Sequence, residues 1–177
     1  SLSNRIEKQV KEFYANPDLG ICGTWAQYYD AHGNRPISVK KRAVTNFEIR
    51  ATIGKQNQFC GASIMIKRDV LLKTGLYRDY FTGIGNEDYD LTSRIVQNYQ
   101  SLNIQEPLYC VRQSIKSSSR NILSARQLIS ADIVTVLINQ RKNGKDFLEL
   151  NDFKALKNME ESLLMPYKMD SSLVKRR

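Results

Sequence analysis

Apolar side chains recur along this chain in two rhythms, and the change from one to the other divides it into elements. Ile6, Val10, Phe13 and Tyr14 fall on one face of a 3.6-residue period, which predicts a helix over residues 4–15. Asn4 and Glu7 have capping-box spacing at its start, and Asn16-Pro17-Asp18 ends it. Residues 19–30 are rich in β-branched and aromatic side chains and predict a strand. His32-Gly33-Asn34 marks a turn, and Pro36 keeps the following residues out of helix. Between 37 and 57 the anchors Val44, Phe47, Ile49 and Ile53 follow neither period clearly. Residues 59–66 predict a second strand. Its Gly61-Ala62-Ser63 leaves so little bulk that a ligand or another backbone can come close; tight packing would explain the same residues equally well.

Residues 68–73 predict a short helix closed by Gly75. A glycine-bearing loop over 80–85 leads into Asn86-Glu87-Asp88-Tyr89-Asp90, where Leu91, Ile95, Val96 and Tyr99 set helical spacing. Residues 104–112 predict another strand, and 113–121 a polar, serine-rich loop. A long helix over 124–141 places Leu128, Ile129, Ile133, Val136 and Leu137 inward and ends at Asn143-Gly144. A last helix covers 151–164, with a frayed end from 168 onward. Strands and helices alternating in this way make the chain α/β.

The 177 residues, 41% of them hydrophobic, suit one domain with a substantial core rather than a disordered chain. Cys22, Cys60 and Cys110 are odd in number and contain no C-x-x-C, which argues against a disulfide framework or a zinc site and for reduced, cytoplasmic thiols. With His32 the only histidine, a Ser-His-Asp triad loses most of its support. The oiliest stretch, 128–138, contains Ser130 and Asp132 and is too short to span a bilayer. A net charge of +9 permits anionic partners, but Lys40-Lys41-Arg42, Lys67-Arg68 and Lys175-Arg176-Arg177 are scattered. No interleaved aromatic and basic pattern of a nucleic-acid-binding sheet occurs, so no nucleic acid is expected as partner.

The acidic run is the strongest chemical signal. Glu87, Asp88 and Asp90 fall in a first helical turn, where free N–H groups and the helix dipole favour negative charge. Asp90 and Arg94 are four apart and can pair. A helix cap, a bound cation or a proton-transfer duty would each account for the cluster. No G-x-G-x-x-G or G-x-x-x-x-G-K-[ST] occurs, so a self-contained nucleotide-binding half is absent.

The order of these segments resembles the second half of a family 2 glycosyltransferase, the inverting class with the GT-A fold. Arg5-Ile6-Glu7-Lys8-Gln9-Val10 resembles the helix after that family's metal-binding D-x-D. Residues 19–34, ending in Asp30-Ala31-His32-Gly33-Asn34, resemble the next strand and turn. Residues 59–68 resemble the strand beside the acceptor site, and Gly75-Leu76-Tyr77-Arg78 the family's G-x-Y-R turn. Glu87-Asp88-Tyr89-Asp90-Leu91 with Arg94 resembles its E-D-x-x-L…R signature. Leu108-Tyr109-Cys110-Val111-Arg112, followed by Ser117, resembles the strand and loop after it.

The resemblance implies a partial GT-A mixed sheet with flanking helices: residues 1–122 as the acceptor-side half and 123–177 as a C-terminal helical extension. It implies sugar transfer with inversion from a nucleotide-sugar donor to a glycan or lipid-linked acceptor, as in polysaccharide biosynthesis. Asp88 becomes the general base, and Glu87 raises its basicity or orients the acceptor. Gly61 and Ala62 floor the acceptor site, and Asp90 and Arg94 shape it. Arg112, Lys116, Ser117 and Arg120 become candidates for a diphosphate-binding loop, although the His many relatives carry there is absent from Gln113-Ser114-Ile115-Lys116. The Mg²⁺ or Mn²⁺ of such an enzyme would be held mostly by residues upstream of Ser1, so the isolated chain is expected to be an inactive piece of a larger protein. Asp88-Tyr89-Asp90 spells D-x-D but opens a helix instead of ending a strand. The resemblance also allows peripheral contact with the inner face of a membrane, and an exposed sheet edge would allow a homodimer. The competing reading is a non-catalytic basic module for anionic glycan, membrane surface or nucleic acid.

Overall fold

The computed structural model describes residues 1–114, 124–144 and 146–170. Its centre is β1 (Leu19–Tyr29), whose first six residues are buried. Along one edge β1 runs parallel to β4 (Gln100–Arg112), from Leu19 beside Gln100 to Tyr29 beside Arg112. Two short antiparallel strands share its other edge. β3 (Met65–Ile66) pairs with Ile21 and Cys22, and β2 (Pro36–Lys40) pairs with Ala26 through Tyr29. The sheet is therefore mixed and four-stranded, as an α/β reading requires.

The second predicted strand is much shorter than expected. Residues 61–63 form a 3₁₀ turn, and only Met65 and Ile66 pair. Ser63 explains the interruption. Its hydroxyl accepts from Thr24 N (3.3 Å) and lies within donating reach of Cys60 O (3.0 Å) and Thr24 O (3.3 Å). A side chain thus satisfies the β1 backbone between β3 and β2, where strand residues would otherwise do so.

The first helix, α1 (Arg5–Ala15), also departs from expectation. Asn4 makes no side-chain cap, and Tyr14 is 83% exposed. The buried position is Gln9, which donates to Cys22 O and Ser63 O, both at 2.8 Å. The helix docks over strand and turn carbonyls, and an amide can pair with them where an alkyl group cannot.

The ambiguous stretch from 37 to 57 divides into β2 and α2 (Asn46–Thr52). Thr45 and Glu48 close a capping box there: Glu48 N donates to Thr45 Oγ1 and Thr45 N to Glu48 Oε2. The short helix α3 (Arg68–Thr74) ends at Gly75, whose φ of +86° suits glycine. The acidic run opens α4 (Glu87–Asn98). Helix α5 (Ala125–Lys142) starts at a capping box of Ser124 and Gln127, and α6 (Phe153–Met169) runs on through Pro166, past its expected end.

Ile21 of β1, Ile49 of α2, Val70 of α3, and Tyr89, Leu91 and Ile95 of α4 form one core with Ile129, Ile133 and Leu137 of α5 and Leu156 of α6. Among the described residues no helix is long and apolar enough to cross a membrane.

Candidate active site

A cavity of about 1030 Å³ opens between β1, β2, the 59–61 segment and the first turn of α4. Backbone geometry aims that turn. Gly83, Gly85 and Asn86 all have positive φ, at +76°, +81° and +66°. The chain therefore swings sharply into α4 and presents Glu87 and Asp88 to the cavity. Asn86 tolerates the left-handed region better than most residues. Its amide does not cap α4 but donates to Ser130 Oγ at 2.7 Å, tying the loop to α5.

Asp88 rests on Gly61. A β-carbon at 61 would lie 3.2 Å from Cβ and Cγ of Asp88 and closer still to Oδ2. Burial pushes the Asp88 carboxyl above its usual range, and the Glu87 charge raises it further. The backbone N–H groups of Tyr89 and Asp88 itself offset part of this. Tyr77 stands beside the pair: burial and the charges of Asp88 and Glu87 push its phenol up. A carboxylate with elevated basicity in a roomy polar cavity is suited to accepting a proton from a hydroxyl.

Tyr28, Lys40 and Arg42 also line the cavity. The Lys40 ammonium stands 5.8 Å from the centre of the Tyr28 ring. Burial lowers both cations, and Arg42 lowers Lys40 further by repulsion. These residues were legible only as part of a short basic run. The hairpin pairing of β2 with β1 turns Lys40 and Arg42 toward the cavity.

Asp90 and Arg94 lie beneath the site, not in it. Asp90 is fully buried and Arg94 is 4% exposed. Arg94 Nε donates to Asp90 Oδ2 at 2.9 Å. Its other nitrogens donate to Thr74 O (2.7 Å), Gly75 O (3.3 Å) and Leu76 O (2.7 Å), closing the end of α3. Arg78 and Arg141 bridge Asp90 and Asp146, with nitrogen–oxygen distances of 2.8 to 3.5 Å. The network locks the 75–78 turn and α5 against α4, and so holds Asp88 in place.

The other candidates are spread out. Ala62 is exposed and does not line the cavity. Arg112 ends β4 on the surface, near the Gly33 turn. Lys116, Ser117 and Arg120 lie outside the described residues. Among the described residues no three His, Cys, Asp or Glu side chains converge as a metal site.

No family model matches the chain. Over 128 residues, 70% of its length, it is 31% identical to the O-antigen biosynthesis glycosyltransferase WbnJ of Escherichia coli. Over 106 residues, 60% of its length, it is 28% identical to an uncharacterized glycosyltransferase of Methanocaldococcus jannaschii. The chain is a distant homologue of glycosyltransferases. The matched stretches cover 48% and 36% of those proteins, so the chain spans about half their length or less.

Proposed function

We propose that this chain is the acceptor-side half of an inverting family 2, GT-A glycosyltransferase and that Asp88 is its general base. The observation that carries the reading is the Asp88 carboxyl, raised by burial and by Glu87, resting on Gly61 in a cavity large enough for sugar rings. Distant homology to glycosyltransferases supports it.

In the proposed reaction an acceptor hydroxyl lies against Gly61 with its hydrogen toward Asp88. Asp88 takes the proton as the oxygen attacks the anomeric carbon of the donor. The bond to the leaving phosphate oxygen breaks with its electron pair, the nucleoside diphosphate departs, and the configuration at that carbon inverts. Glu87 keeps Asp88 basic by repulsion. The nucleotide, and the Mg²⁺ or Mn²⁺ that would neutralise the leaving group, are assigned to residues outside this chain, so the 177 residues alone are expected to be inactive. The acceptor is a glycan or a lipid-linked sugar, in keeping with the O-antigen role in one relative's name.

The test is transfer by this chain joined to an upstream nucleotide-binding half, with and without Asp88→Asn. Loss of a base of this kind is expected to slow transfer by about 10²–10⁴-fold. Undiminished transfer by the Asn variant overturns the assignment.

A further inference from the structure

We infer that Lys40 and Arg42, which line the same cavity as Asp88, form a subsite for an oxyanion carried by the acceptor, a carboxylate or phosphate group on its sugar. The inference rests on the sugar-transfer reading of the Asp88 site.

Both cations line the cavity, whereas Lys41 between them does not. The Lys41 ammonium sits instead over the Trp25 ring, 5.3 Å from its centre. The backbone presenting Arg42 is pinned. Trp25 Nε1 donates to Arg42 O at 3.0 Å, Asn103 Nδ2 to Ala43 O at 2.7 Å, and Asn103 N to Val44 O at 3.0 Å. These bonds fix the backbone from which Arg42 reaches the cavity, whereas Lys40 extends from the exposed strand β2.

Neither cation pairs with a carboxylate among the described residues. Among the described residues Arg42 donates only to the neutral Gln56 Oε1, at 3.3 Å. Partial burial disfavours both charges, and Arg42 also repels Lys40. An anion between them would relieve both costs, and a guanidinium suits a carboxylate or phosphate geometrically.

Position ties this wall to the acceptor. Cys60 lines the cavity within electrostatic reach of Lys40 and Arg42, and the next residue, Gly61, carries Asp88. A ring whose hydroxyl meets Asp88 therefore extends its substituents toward the cations. Glu87 and Asp88 line the same cavity, so an acid group is favoured on its cationic side. Glu87 and Asp88 repel it from the base while Lys40 and Arg42 attract it, which fixes which hydroxyl reacts.

The test is titration of the ¹⁵N-labelled chain, followed by NMR shifts of cavity residues. The probes are methyl β-D-glucuronide, methyl β-D-glucoside 6-phosphate, neutral methyl β-D-glucoside and uridine diphosphate. At least one acidic glycoside is expected to bind about 10- to 100-fold tighter than the neutral one, the span of a charged hydrogen bond or two. The stronger of the two identifies the acid as carboxylate or phosphate. Arg42→Gln and Lys40→Gln should bring acidic binding down toward the neutral level and leave neutral binding alone. Lys41→Gln should behave as the unaltered chain.

Equal binding of acidic and neutral glycosides overturns the inference, as does no shift with either acid at tens of millimolar. So does an equal loss in Lys41→Gln, which would mark a diffuse charge effect. Uridine diphosphate binding at Lys40 and Arg42 in preference to both acids would assign the wall to the donor instead. Binding is read without transfer, so the two readings fail separately. Acid selectivity with transfer indifferent to Asp88→Asn removes the catalytic reading alone, and the converse removes the subsite alone.

Discussion

The Asp88 carboxylate packs directly on the α-carbon of Gly61, with no room for a β-carbon between them. Gly61 has no positive φ, so close approach rather than backbone freedom is its reason for being glycine. The 3₁₀ turn of residues 61–63 and the first turn of α4 are thereby registered against each other.

Gly61→Ala should push Asp88 off its position while the backbone stays comfortable. A displacement of about 1 Å is expected to cost on the order of 10²-fold in transfer rate. The melting temperature should move by only a few degrees, because the clash can be relieved by one side chain. Unchanged turnover in Gly61→Ala would mean that the Asp88 placement does not matter.

Asp88 should set the acid limb of activity. Its folded pKa is raised, so the folded chain binds the proton more tightly than the unfolded chain. Stability contributed at this position then falls as pH rises from the ordinary carboxylate value of about 3.9 through the folded value. Asp88→Asn should remove that fall and melt no lower than the unaltered chain at pH 7, even as transfer is lost. In pH–rate profiles the rise in kcat/KM is expected above the ordinary carboxylate range.

The buried network beneath the site should behave in the opposite way. Asp90→Ala strands Arg94, leaves Arg78 and Arg141 with Asp146 as their one shared carboxylate, and is expected to cost about 3–5 kcal/mol in urea unfolding. Burial pushes the Asp146 carboxyl up, but the hydrogen bond from Arg141 and the charge and hydrogen bond of Arg78 outweigh it and hold it below its usual range. Its stabilisation is therefore present above the ordinary carboxylate value and lost as pH falls through the lower folded value. Asp146→Asn should flatten that acid limb while lowering stability at pH 7.

Alkylation should separate the three thiols. Cys22 is buried in β1, and burial, with a contribution from the Glu12 charge, pushes its thiol up to about 12 despite a hydrogen bond with Gln9. Iodoacetamide at pH 8 should modify Cys60 and Cys110 in the folded chain and reach Cys22 only after denaturation, as read by peptide mass spectrometry. Prior labelling of Cys60, which lines the cavity, should also block ligand binding there.

Much of the fold was legible because its signals are local. The β1 pattern, the Gly75 stop, the acidic start of α4 and the Ser124 start of α5 each depend on neighbours in sequence. The errors arose where distant groups decided the outcome. Ser63 turned a predicted strand into a 3₁₀ turn by bonding Thr24, 39 residues away. Gln9 displaced the apolar residues of α1 because carbonyls of Cys22 and Ser63 waited beneath it. Asp90 and Arg94 read as a pair that shapes the acceptor site, but the tertiary fold buries them beneath it, with Asp90 also held by Arg78 and Arg141.

Residue order alone determined the α/β class, the carboxylates at the head of α4 and the likeness to glycosyltransferases, since each depends on residue type and spacing. Tertiary structure decided which of those carboxylates faces a cavity. It set Asp88 on Gly61, sent Asp90 into a buried lattice of arginines, and brought Lys40 and Arg42 to the cavity that Asp88 lines. Those choices depend on burial and on the charges brought near by chain segments far apart in sequence, which no local pattern encodes.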